Sequence, residues 1–166
     1  ALRAQHERKE VVRPPGVGPR REARHARRRA RFLEWARHLR LDQIRRELPG
    51  MRDHREQGDT LDAQYGLAHP LTLAEGGVLH QALGATHAEV NSLHGQGIRT
   101  LGAGLRAEAW APDGLIEAFS VAEAKSFAVA VQWHPEWRID AHPLSRALFT
   151  AFGDACRQRR AARLAA

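Results

Sequence analysis

The 166-residue sequence is 43% hydrophobic, carries a formal net charge of +7 and contains one cysteine. This fits a single packed domain and excludes an internal disulfide and a cysteine-based zinc site. No apolar run approaches the ~20 residues of a membrane helix, and no charged-then-apolar leader opens the chain, so a soluble, cytoplasmic protein without membrane contact is expected.

The charge is unevenly spread. Residues 1–40 hold 13 Arg or Lys against 4 acids, whereas residues 41–166 hold 13 against 15. The head is thus basic and the remainder slightly acidic. A basic arm can bind nucleic acid by counterion release, but Phe32 and Trp35 are too few to form a stacking platform. A disordered or helical solvated head is therefore expected over 1–40, with Phe32, Leu33, Trp35, Ala36 and Leu39 as a short helical stripe. The chain begins with Ala1 and is read as a fragment. With 24 Arg against 2 Lys, the head also has the texture of GC-rich DNA read out of frame; a genuine basic arm is the other reading.

From Leu41 the texture changes. Ile44 and Leu48 run into Pro49-Gly50, a stop and turn signal. Residues 53–59 read as a polar loop. Residues 66–73 read as a strand with Pro70 near its start, Gly76-Gly77 as a turn, and 78–83 as a short helix. Residues 88–92 read as a strand entering a loop, and Gly95, Gly97, Gly102 and Gly104 punctuate the next stretch, with Ile98 and Leu101 packing. Residues 105–110 and 115–119 alternate as strands, joined by Pro112-Asp113-Gly114, where Pro presets φ and Gly accepts positive φ. Residues 127–131 form a continuous apolar run of the kind buried on both faces of a sheet. Leu144, Leu148, Ala151, Phe152 and Ala155 have helical spacing over 143–160.

The 127–131 run leads directly into Gln132-Trp133-His134-Pro135-Glu136-Trp137. Sites in open α/β sheets form beyond the carboxyl ends of strands. Pro135 biases His134 toward extended geometry, and residues i and i+2 of an extended chain point the same way. Glu136 can therefore orient the His134 imidazole, the base-plus-orienter pair of nucleophilic catalysis. Trp133 and Trp137 could shield the pair from water. The bland alternative is a surface loop with a partly buried histidine and a solvated glutamate.

Residues 132–137 resemble the signature that closes the active site of class I glutamine amidotransferase-like proteins, specifically the gamma-glutamyl-gamma-aminobutyrate hydrolase (peptidase C26) branch. Residues 90–98, with Asn91, Ser92, Leu93 and His94, resemble its second signature, 113–118 its third, and 148–155 its terminal helix; 53–56 and Gln64-Tyr65 fit its variable middle. The resemblance implies that residues 41–160 are the C-terminal half of a flavodoxin-like three-layer α/β sandwich. It implies a Cys-His-Glu triad acting on a small γ-glutamyl substrate through a thioester, in polyamine or putrescine catabolism. His134 and Glu136 would be catalytic and Asn91, Ser92, Leu93 and His94 would line the glutamyl pocket, with no cofactor and no metal. A homo-oligomer is left open.

The family's nucleophile sits on a glycine-flanked elbow in the first half of the domain, and no such segment occurs in this sequence. Cys156 lies in the terminal helix, where core packing is the expectation, so the chain alone is expected to be inactive. Two other readings compete: a glutamine amidotransferase subunit that passes ammonia to a synthase, and a protein that binds nucleic acid through its head. The form of residues 91–97 and the tryptophan flanks favour the hydrolase, and nucleic acid is not the expected partner.

Overall fold

The computed structural model describes residues 36–40 and 50–165. The expectations for 1–35, and for Ile44 and Leu48, lie outside the described residues. Those described belong to one unit, Glu34–Ala166. Its strands are β1 (Ala36–Arg40), β2 (His69–Leu73), β3 (His87–Val90), β4 (Gln96–Leu101), β5 (Leu105–Trp110), β6 (Ile116–Val121) and β7 (Val129–Val131). Its helices are α1 (Leu61–Gln64), α2 (Val78–Leu83) and α3 (Pro143–Leu164), with a 3-10 turn at Ile139–Ala141. The result is a mixed α/β architecture, as expected. The seven strands form one sheet in the order β1-β4-β6-β5-β2-β3, with β7 also paired to β6. Every pairing among the described residues is antiparallel.

The β5–β6 hairpin turns where Pro112-Asp113-Gly114 demands it. Ala111 N donates to Leu115 O at 2.9 Å and Gly114 N to Ala111 O at 2.9 Å, with Gly114 at φ 82°. Asp113 Oδ1 accepts from Leu115 N at 3.2 Å and locks the turn. The simple alternation expected for the two strands does not hold. Ala107 pairs with Phe119 and Ala109 with Ala118, so Glu108 is an extra residue on β5; Trp110 then pairs with Ile116, so Glu117 is an extra residue on β6. Bulges re-aim side chains. Here they leave both glutamates fully buried.

Three sequence readings need correction. Residues 36–40, read as part of a helical stripe, form a strand paired with β4; long-range pairing overrides the helix preference of Ala, Leu and Arg. The glycine-punctuated stretch after Gly95 is strand β4, with Ile98 buried as expected. The 127–131 run yields only the three-residue, half-buried β7, which has a single neighbour, β6, among the described residues. Phe127 instead packs at the margin of the core, its ring 6.1 Å from that of Phe152.

The main core joins Leu71 and Leu73 of β2, Leu79 of α2, Val90, Ala109, Ala118 and Trp133 to Leu144 and Leu148 of α3. Each of the leucines contributes about 1.5–3 kcal/mol by leaving water. Helix α3 outruns this core: Phe149 and Phe152 are 38% and 50% exposed. Cys156, expected to pack in the core, is exposed for the same reason. No helix among the described residues is long and apolar enough to cross a membrane.

Glu108 links sheet to helix. Its carboxylate accepts from Ser120 Oγ at 2.6 Å and from Leu79 N at 3.3 Å, so it satisfies an orphan donor in the first turn of α2. The N-cap, Gly77, has no side chain to do so. A Cβ at Gly77 would collide with Glu108 Oε2 and come within 2.9 Å of Ala74 O. Gly77→Ala should therefore destabilise the protein by about 1–3 kcal/mol in urea unfolding. Gly95→Ala, where nothing lies within 4 Å, should stay within about 0.5 kcal/mol of the parent.

Candidate active site

Beyond Val131 the chain is held by alternate anchors. Trp133 enters the main core at 4% exposure, and His134 turns the opposite way. The side chains of His134 and Glu136 are 40% and 59% exposed, and His134 Nδ1 lies 2.7 Å from Glu136 Oε1. Residues 135–138 form a turn and not the extended run expected from the sequence, and within it the two side chains still meet. Asn91, buried just beyond β3, clamps the backbone of His134 from both sides. Its Oδ1 accepts from His134 N at 2.8 Å, and its Nδ2 donates to His134 O at 3.0 Å.

Aromatic packing fixes the imidazole from one side. Tyr65 meets His134 edge-on, with centroids 5.4 Å apart at 72°, and lies 4.7 Å from the Trp137 ring. Tyr65 is the C-cap of α1, whose N-cap Thr60 accepts from Ala63 N. Arg138 carries its guanidinium 5.8 Å from the Trp137 ring centroid and pairs with Asp62 of α1 at 2.7 Å. The two tryptophans therefore do not shield the His134–Glu136 pair: Trp133 is core, Trp137 packs on Tyr65, and the pair faces solvent. An exposed ion pair contributes at most about 1 kcal/mol to stability, so its value is orientational. Tyr65 entered the sequence reading only as part of a variable segment; nothing local marks it as the partner of a residue 69 positions away.

The residues assigned to the glutamyl pocket lie together after β3. The Asn91 side chain is committed to His134. Ser92 Oγ donates to His54 O at 2.8 Å. Leu93 is half-buried. His94 directs Nδ1 to Gln96 O at 2.7 Å. A cleft of about 280 Å³ opens beside Ser92, between residues 52–57 and the Gln64–His69 stretch.

Sequence reading missed a buried cluster next to these residues. His54, placed in a polar loop, is fully buried; its Nε2 lies 2.8 Å from Asp113 Oδ2 and its Nδ1 3.3 Å from Glu117 Oε1. His94 Nε2 and His69 Nε2 approach the same Glu117 oxygen at 3.5 and 3.9 Å. Burial works to lower the His54 pKa, but the facing carboxylates of Glu117 and Asp113 outweigh it and raise the value. Burial lowers that of His69. For Glu117 and Asp113 burial pushes upward, yet the histidine contacts hold both carboxyls below their usual range. A spacing rule would not find this cluster, because its members come from four separate segments.

For Glu136, partial burial pushes the pKa up, but the hydrogen bond from His134 outweighs it and the value is lowered. A carboxylate with a depressed folded pKa contributes stability above its unfolded pKa and loses it as pH falls through the folded value. The Glu136 carboxyl carbon should titrate by NMR below the ordinary ~4.3 of glutamate, and His134→Ala should return it to that value.

Against this geometry, the peptidase C26 family model matches residues 38–136, more than half of the chain. The gamma-glutamyl-gamma-aminobutyrate hydrolase PuuD of Escherichia coli K12 is 45% identical over 112 residues, which covers 66% of this chain and 44% of that protein. The gamma-glutamyl-gamma-aminobutyrate hydrolase of Shigella flexneri is 44% identical over 108 residues, 64% of this chain and 42% of its own length. The chain thus spans less than half the length of these relatives. The matched segment begins within β1 and closes on Glu136, and the chain belongs to the peptidase C26 family.

Proposed function

We propose that this chain carries the acid–base half of a γ-glutamyl C–N hydrolase that works through a cysteine thiolate. The observation that carries the reading is the 2.7 Å contact of His134 Nδ1 with Glu136. With Nδ1–H donated to the carboxylate, the neutral imidazole keeps its lone pair on Nε2. Nε2 can then take the proton of a thiol, and the thiolate attacks the γ-carbonyl. As the C–N bond breaks, the imidazolium returns that proton to the leaving amine. In the second half, Nε2 takes a proton from water, hydroxide attacks the thioester, and glutamate leaves as the thiol is restored. Glu136 holds the tautomer and stabilises the transient imidazolium, while the Asn91 clamp sets the height of the ring above the β7 end.

Cys156 is not the thiol in this scheme. His134 sits over the N-terminal end of α3, near His142 and Ser145, and at 1.5 Å per residue Cys156 lies about 16 Å further along the axis than Ser145. The nucleophile therefore comes from outside the described residues, on a segment equivalent to the first half of the longer relatives. The 166-residue chain alone should release no glutamate from γ-glutamyl-γ-aminobutyrate. Fused to a family first half with its cysteine, it should hydrolyse that compound. His134→Ala in the fusion should then lower kcat by about 10²–10⁴-fold, and Cys156→Ser should leave it unchanged. Glutamate release by the chain alone, abolished by Cys156→Ser, would overturn the scheme.

A further inference from the structure

The cluster around Glu117 has a donor deficit. Each of its three imidazoles commits its outer nitrogen to an oxygen acceptor: His54 Nε2 to Asp113 at 2.8 Å, His69 Nδ1 to Pro70 O at 3.1 Å and His94 Nδ1 to Gln96 O at 2.7 Å. Those nitrogens must carry the hydrogens, so the inner nitrogens of the neutral rings present lone pairs. All three inner nitrogens face Glu117 Oε1, itself an acceptor. Ser92 Oγ reaches His54 Nδ1 only at 3.4 Å and gives its hydrogen to His54 O. His69 Nε2, His94 Nε2 and both Glu117 oxygens are buried without a hydrogen-bond partner. Four lone-pair-bearing atoms converging away from water is a costly arrangement. A single proton on His54 relieves one contact and leaves His69 and His94 facing the carboxylate.

A cation bound by His54, His69 and Glu117 relieves the crowding at the carboxylate, and the distances suit one. Ligand bonds of 2.0–2.2 Å to a tetrahedral zinc ion imply ligand–ligand separations of about 3.3–3.6 Å. Glu117 Oε1 lies 3.3 Å from His54 Nδ1 and 3.9 Å from His69 Nε2. The ligand atoms of His54, His69 and Glu117 all lie within 4.8 Å of one another. Asp113 stands behind His54 as the carboxylate of a carboxylate–histidine–metal arrangement, which fixes ring orientation and raises ligand basicity. Imidazole nitrogen with one carboxylate suits Zn²⁺ and its first-row neighbours rather than Mg²⁺ or Ca²⁺. We propose that His54, His69 and Glu117 bind a divalent ion of the Zn²⁺ class, with Asp113 orienting His54. All three ligands are buried, so the role is structural: the ion ties residues 52–54, β2 and β6 to one point.

The test uses the untagged 166-residue chain, stripped with a chelator and titrated with Zn²⁺ or Co²⁺ alone. Wild type should take up one equivalent of Zn²⁺, show the intense visible bands of tetrahedral Co²⁺, and rise in Tm with added Zn²⁺. His69→Ala and Glu117→Gln should abolish the Co²⁺ bands. Asp113→Asn should weaken uptake by about 10–100-fold, and His87→Ala, at an exposed histidine, should leave it intact. Absence of stoichiometric uptake by wild type would overturn the proposal, as would equal uptake by the folded Glu117→Gln and His69→Ala variants. Should either fail to fold by circular dichroism, the wild-type stoichiometry and the Asp113→Asn shift still decide.

Discussion

Two offset bulges in the β5–β6 hairpin turn Glu108 and Glu117 away from solvent, and most of what surrounds them answers to that placement. Removing a carboxylate from water costs several kcal/mol unless its oxygens find partners. Glu108 finds Ser120 and the first turn of α2, and α2 in turn presents Leu79 to the core that α3 completes. Glu117 draws histidines from three other segments toward one point. At the tip of the same hairpin, Asp113 closes the turn with one oxygen and holds His54 and Arg52 N with the other. A single hairpin therefore organises the helix layer on one hand and the 52–57 loop on the other.

The candidate active site depends on this frame without sharing its burial. His134 and Glu136 face water, and their exposed contact does little for stability. Precision comes from beneath: Trp133 is sunk in the core, and Asn91 grips the next peptide from the end of β3. Positioning His134 through its backbone leaves the polar atoms of its side chain free, which the proposed acid–base role requires, since such roles tolerate little misplacement. The clamp also couples the fold's centre to the site, since Asn91 and Ser92 are neighbours with different duties, one toward His134 and one toward His54.

Features with local causes were legible in the sequence. Pro112-Asp113-Gly114 carries its own turn chemistry, residues 78–83 follow a glycine turn, and the contact of His134 with Glu136 was expected from their closeness in sequence, although a turn and not an extended run makes it. Features with distant causes were not. Strand β4 contains Gly97 and begins after Gly95, yet pairing on both sides makes it a strand. Ala36–Arg40 joins the sheet only because β4 is there to receive it. The bulges defeat period-two reasoning at Glu108 and Glu117, since each inserts one residue and shifts which side chains face inward. His54 sits between charged residues in an apparently solvated loop, and only the fold shows that Asp113 and Glu117, about sixty positions later, enclose it.

The Asn91 clamp has a further consequence for how the site can be observed. The amide hydrogen of His134 is held by a side chain and not by a neighbouring strand, so its exchange with deuterated solvent reports the opening of that one contact. Amides on β6, bound within the sheet, report sub-global openings instead. The ratio of these exchange rates separates a site that loosens by itself from one that loosens only when the sheet comes apart. One backbone hydrogen thus serves as a gauge of how tightly the His134–Glu136 pair is coupled to the body of the protein.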